Sequence, residues 1–296
     1  MNSAAPPASA GGALLLRAAV DKSAFCAYCR YQLRNLDGAS MELITSRKNP
    51  LIKRLRALAN DGALRRESGQ TVLDGVKLLG EALAAGCRVT ALLLAEGMGP
   101  PEGLTPDTAI YRAPAELVGY ASPVANSPGP VFSVELPRIA APARADTAIL
   151  LEDVQDPGNV GTVIRAANAF GVDAVLLCGR CADVSSPRVV RATMGAAFRQ
   201  CVLELTAAEA AETVRRWGLP LYGAALGERA LDIRQLPRGG AAVAIGNEGH
   251  GLSGEMKSLC DALTLIPMAP GSESLNAAMA AVVAMWELAR VRIGVT

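Results

Sequence analysis

The stretch Asp156-Pro157-Gly158-Asn159-Val160-Gly161-Thr162-Val163-Ile164-Arg165 brings an amide and a guanidinium to the start of one helix. The apolar run Ala148-Ile149-Leu150-Leu151 ahead of it predicts a strand. Acidic Glu152 and Asp153 and a Pro-Gly break predict a loop, and 160–170, closed by Gly171, predicts a helix. A strand end that meets a helix start is where open α/β sheets bind ligands. Asn159 has two readings, a polar group of such a site or an N-cap. Arg165 follows nearly two turns on, within Val163-Ile164-Arg165-Ala166-Ala167, where burial is costly unless the charge has a task.

Two later segments offer further chemistry. Gly246-Asn247-Glu248-Gly249-His250-Gly251 follows a strand, and its glycines permit a tight backbone close to a ligand. Its order is G-x-x-G-x-G, not the dinucleotide G-x-G-x-x-G, which weakens a nucleotide-dependent oxidoreductase reading. No G-x-x-x-x-G-K-[ST] phosphate loop occurs. Leu265-Ile266-Pro267-Met268, followed by Gly271-Ser272-Glu273-Ser274-Leu275-Asn276, closes a further strand. The lone His250 excludes chemistry that needs two histidines. The pairs Cys26-x-x-Cys29 and Cys178-x-x-Cys181 lie far apart and are not assigned a metal.

The elements that must position these loops come from the wider pattern. The chain has 296 residues, 51% of them hydrophobic, and seven cysteines. Its length suggests two domains, and its odd cysteine count favours reduced, cytoplasmic thiols. With a net charge of +1, nucleic-acid binding must use local patches. No apolar run has the length of a membrane span. Residues 1–40 read as a disordered extension, and Met41 as a candidate translational start. A first, small α/β domain spans 41–137. It has a basic helix over 49–63, strands at 71–74, 89–95 and 131–136, and helices at 76–85 and 113–119. Lys53, Arg54 and Arg56 on the basic helix are either a solvated face or phosphate contacts. Residues 138–145 read as a linker. In 146–296, strands at 147–151, 173–178, 201–205, 219–224, 241–245 and 262–266 alternate with helices, which predicts a mainly parallel sheet.

The three loops together resemble the motifs of the SpoU (TrmH) family of RNA ribose 2′-O-methyltransferases, in the SPOUT class. Asn159-x-Gly161-x-x-x-Arg165, Gly246-Asn247-Glu248-Gly249, and Ile266-Pro267-Met268 with Ser274-Leu275-Asn276-Ala277-Ala278 are similar to its three motifs. Ser186-Pro187-Arg188-Val189-Val190-Arg191-Ala192-Thr193-Met194-Gly195-Ala196 resembles a further block near the family's active site. Ile44-Thr45-Ser46-Arg47-Lys48-Asn49-Pro50-Leu51 and Val72-Leu73-Asp74-Gly75 resemble the family's L30e-like substrate-binding domain, with Asp74 where members often carry glutamate.

The resemblance implies a trefoil-knotted carboxyl-terminal domain that binds S-adenosylmethionine and pairs as a homodimer. Composition and periodicity point to no knot. The implied reaction is 2′-O-methylation of RNA, with 23S-type ribosomal RNA favoured. The alternatives are a transfer RNA ribose methyltransferase and a non-catalytic RNA-binding or ribosome-assembly factor. Arg165, Asn159, Ser274 and Asn276 are the implied catalytic residues. Ile245, Gly246, Asn247, Glu248, Gly249, Leu265, Ile266, Met268, Ser274, Leu275 and Asn276 would hold the cofactor. Plainer readings stay open: Met268 as core filler, Glu248 as a surface charge, Ser274 as a helix cap. Arg188 and Arg191, with Arg199, would extend the RNA track from Lys53, Arg54 and Arg56. Arginine is a poor general base, so Arg165 is read as an electrostatic stabiliser of the reacting oxygen.

Overall fold

A computed structural model describes residues 41–125, 127–271 and 274–290; the disordered extension expected for 1–40 lies outside them, as do Cys26 and Cys29. The chain builds two sheets. The first holds β1 (Glu42–Leu43), β2 (Gln70–Asp74), β3 (Val89–Ala95), β4 (Ala109–Ala113) and β5 (Val131–Glu135), in the mixed order β1-β4-β3-β5-β2. Helices α1 (Pro50–Asn60), α2 (Gly62–Ser68), α3 (Val76–Ala84) and α4 (Ala115–Ala121) cover it. The single helix expected over 49–63 divides at Asp61, whose side chain accepts from the N–H groups of Ala63 and Leu64 and so starts a second helix.

The second sheet has seven strands: β6 (Thr147–Glu152), β7 (Ala174–Cys178), β8 (Val202–Leu205), β9 (Leu221–Ala224), β10 (Leu231–Asp232), β11 (Ala241–Ile245) and β12 (Ala262–Leu265). Their order is β10-β12-β9-β11-β6-β7-β8, and every neighbouring pair is parallel. The central strands β6, β7 and β11 are buried along their whole length, which explains why they read as unbroken apolar runs. Helices α5 (Pro157–Phe170) and α9 (Ala277–Ala289) pack on one face, and α7 (Ala207–Arg216) and α8 (Gly254–Leu259) on the other. Residues 138–145 run along this unit: the Pro142 carbonyl accepts from the Trp217 indole at 2.9 Å.

The topology places the site. The chain runs outward from β6 through β7 to β8, then returns to the other side of β6 with β9, β11 and β12. The direction of winding therefore reverses between β6 and β11, where a doubly wound sheet opens a ligand crevice. Because all the strands are parallel, the loops after β6, β9, β11 and β12 emerge at one edge.

Helix α6 (Pro187–Ala192) and the 3₁₀ turn Ala196–Phe198 join the two units. Their Val190 and Phe198 are buried in the apolar core of the first unit, among Leu73, Leu78 and Phe132. The seam also carries an Arg65–Asp183 ion pair at 2.6 Å, a Thr71 hydroxyl donating to the Ser185 carbonyl at 2.7 Å, and Arg199–Glu81 at 2.8 Å. Arg191 pairs with the buried carboxylate of Asp74.

Candidate active site

The switch point is built by a chain of polar contacts among three loops. Helix α5 starts with Pro157 at its first turn, and Asp156 caps it by accepting from the Asn159 N–H at 2.8 Å. This corrects the N-cap reading of Asn159. The cap is three residues earlier, because the fixed φ of Pro157 already suits the first helical position. The Asn159 side chain is thereby freed for the site. Its amide N–H donates to a Glu248 carboxylate oxygen, and its carbonyl oxygen accepts from the Asn276 amide at 3.1 Å. One residue from each of the three sequence motifs thus meets at one point.

The other polar atom of Asn276 does a second job. Its side-chain oxygen accepts from the N–H groups of Ala278 and Met279, so Asn276 rather than Ser274 caps α9. Ser274 and Leu275 are exposed just before it.

The loop after β11 is held by backbone. Asn247 and Gly251 exchange N–H···O=C bonds of 3.2 and 2.9 Å, and the Asn247 side chain donates to the Asp153 carbonyl at 2.9 Å and accepts from the Gly249 N–H. At Gly246 a Cβ would lie 2.2 Å from the carbonyl carbon of Gly251, so only glycine fits there. Beneath the loop, buried Glu152 accepts from the Ser253 N–H at 2.8 Å and from its hydroxyl at 2.6 Å. Asp153, at φ 55°, accepts the Arg180 N–H at 2.6 Å. Glu152 and Asp153 were visible in the sequence only as acidic residues after a strand. Their role as clamps between loops depends on contacts 101 residues away for Glu152 and 27 residues away for the Asp153 carboxylate.

Of the apolar residues expected around a cofactor, Ile245 is buried, Leu265, Ile266 and Met268 are half-buried, and Leu275 is exposed. Strand β9 lies between β11 and β12, so Ala225 and Leu226 stand at the same edge, with Leu226 76% exposed. The sequence reading missed this pair, since only the strand order reveals it.

Arg165 is exposed on α5, so no burial cost arises. Six residues separate it from Asn159, about 9 Å of rise and roughly 120° around the helix, so the two do not share a face. Gly161 lies between them and seats α5 on α6, where a Cβ would come 2.4 Å from that of Ala192.

The expected RNA residues separate into two groups. Lys53 and Arg54 are exposed on α1, with Arg54 donating to Gln70; Arg56 and Arg47 lie over the Tyr120 ring at 5.0 and 4.5 Å. Arg188 is exposed on α6, whereas Arg191, three residues on, is held by Asp74 and belongs to the seam.

The profile of the SpoU rRNA methylase family matches residues 146–286. A Synechocystis protein described as an uncharacterized tRNA/rRNA methyltransferase is 31% identical over 258 residues, which cover 83% of this chain and 93% of that protein. The chain belongs to the SpoU rRNA methylase family. A Streptomyces viridochromogenes 23S rRNA uridine 2′-O-methyltransferase is 30% identical over 272 residues, 84% of this chain and 92% of that protein. The solved structure of an AdoMet-bound rRNA methyltransferase from Sinorhizobium meliloti superposes with a TM-score of 0.74 at 27% identity, covering 86% of this chain and 99% of that one. The SpoU profile spans the whole switch point, from the strand that carries Glu152 to the helix capped by Asn276.

Proposed function

We propose that this protein transfers a methyl group from S-adenosylmethionine to a ribose 2′-hydroxyl of ribosomal RNA, of the 23S type. The observation that carries the reading is the hydrogen-bonded set Asn159, Glu248 and Asn276, which joins the three family motifs at the switch point. The edge suits a nucleoside cofactor. Backbone approaches backbone at Gly246, and Ile266, Met268, Leu275 and Leu226 supply apolar surface along the edge.

When bound, S-adenosylmethionine supplies an already activated methyl, held on a sulfonium. The protein has therefore to orient the ribose hydroxyl in line with that methyl and to ease its proton loss. Asn159, fixed at both ends of its amide, orients the ribose. The Arg165 guanidinium stabilises the oxygen as its negative charge develops, a role that suits a residue type which does not give up its proton. The hydroxyl proton leaves to a phosphate or to water. Ser274, beside Asn276, lines the same edge.

The first unit acts as an L30e-like RNA-binding domain over 41–137, linked through 138–145 to a SPOUT domain at 146–296. That domain works as a trefoil-knotted homodimer in the cytoplasm. Support for the dimer is the exposed apolar surface of Leu275, Met279 and Trp286, the last two seven residues apart and so on one face of α9. Replacing Arg165 by alanine tests the core of the reading. Methyl transfer should fall at least about a hundredfold, the scale expected for loss of one charge-stabilising group, with S-adenosylmethionine binding and the far-ultraviolet spectrum unchanged. Retention of wild-type kcat would remove the role.

A further inference from the structure

A crevice of about 540 Å³ opens between the two units, one residue ahead of Asn159. Its first wall is Pro123, Val124 and Ala125, from the segment after α4; its second is Asp156, Pro157 and Gly158, the entry to α5; Arg188 and Arg191 of α6 close it. Its volume lies within the roughly 300–1,000 Å³ usual for small-ligand sites.

The chemistry of the walls selects a ligand. The two prolines, Val124 and Ala125 offer flat apolar surface, which suits the face of a base. The helix start offers no free anion site, because the Asp156 carboxylate already takes the Asn159 N–H. Arg191 is committed to Asp74. Arg188 is exposed and has no ion-pair partner among the described residues. A phosphate that enters beside the base therefore falls to Arg188.

Resting on the function proposed above, we propose that this crevice is a second RNA subsite, which takes the nucleotide next to the methylated ribose. Its base lies against the 123–125 segment and Pro157, and its phosphate meets Arg188. Because one wall comes from each unit, sequence selection is shared between them. The Arg191–Asp74 and Arg65–Asp183 pairs set the width of the crevice by fixing α6 to the first unit.

The test uses the full chain with in vitro transcribed, hence unmethylated, 23S rRNA. Arg188→Glu, which reverses the cation, and Ala125→Trp, which fills the crevice from an exposed position, should each raise KM for the RNA at least tenfold. Both should leave kcat within threefold and the Kd for S-adenosylmethionine unchanged. Arg188→Lys should return KM to within threefold of wild type, and Arg188→Glu should lower the salt slope of RNA binding by about one. Arg215→Glu, an equal charge change on α7 across the sheet, controls for net charge. Unchanged KM and RNA affinity in both variants, with wild-type methyl transfer intact, would overturn the crevice and keep the activity. Weakened RNA binding in both variants, with a wild-type protein that transfers no methyl, would keep the crevice and remove the activity. A wild-type protein that does not bind the RNA would overturn both.

Discussion

Replacing Gly246 by alanine puts a methyl carbon 2.2 Å from the Gly251 carbonyl carbon, 2.3 Å from the Leu252 nitrogen and 2.4 Å from the Gly251 oxygen. All three are backbone atoms, so no side chain can swing away. Ordinary carbon contacts begin near 3.5 Å, so the two arms of the loop must part by more than about 1 Å. That breaks the paired bonds between Asn247 and Gly251, of 3.2 and 2.9 Å. At about 1 kcal/mol each, the loss is about 2 kcal/mol. If cofactor binding has to restore the loop, the same energy appears as a rise of roughly thirtyfold in the Kd for S-adenosylmethionine. Titration calorimetry measures it directly. Gly254→Ala is the control, since its Cβ would meet nothing within 4 Å, and should bind within twofold of wild type. A Gly246→Ala protein that binds S-adenosylmethionine within threefold of wild type would refute the proposed role of this backbone approach in cofactor binding.

The seam and the thiols make two further predictions. Arg65 is 6% exposed and donates to the Leu58 carbonyl at 2.8 Å, the Ser185 hydroxyl at 3.2 Å and Asp183 at 2.6 Å; Arg65→Ala should cost about 3 kcal/mol in urea unfolding, and a loss under about 1 kcal/mol would contradict the packing described. Burial, and then the neighbouring Cys181, push the Cys178 thiol well above the usual thiol range, up to about 12. Above pH 9 the unfolded chain thus loses a proton that the native protein keeps, and stability falls as pH rises from 9 towards 12. Urea midpoints at pH 8 and pH 10 should converge partly in Cys178→Ala, and an alkaline slope identical to wild type would speak against it.

Much of the second unit was legible in the sequence, for a physical reason. Strands buried on both faces, such as Ala241–Ile245, read as unbroken apolar runs, and Gly171 sits in the left-handed conformation that ends α5. The short β4, Ala109–Ala113, was missed because most of it is half-buried and carries Arg112, with little apolar contrast to its flanks. The site was legible as motifs but not as geometry. That Asn159 would touch both Glu248 and Asn276 follows from the strand order, not from any spacing along the chain. Arg191 looked like a surface cation because its partner, Asp74, lies 117 residues away. Leu226 carries no local signal in the sequence; only the strand order brings it beside the loops after β11 and β12.

Val190 and Phe198 are encoded between β7 and β8 of the second sheet yet are buried in the interior of the first unit. The two units are therefore not interchangeable parts. A catalytic fragment beginning near residue 146 would carry two bare apolar side chains and the unmatched Arg191 on its surface, and a transplanted first unit would lack two of its own core residues. Any lineage that acquired a new RNA target by exchanging the first unit would have had to rewrite residues 183–199 at the same time. Those are the residues that flank the crevice and carry Arg188, so an exchange of the first unit and a change at the crevice would be inherited together.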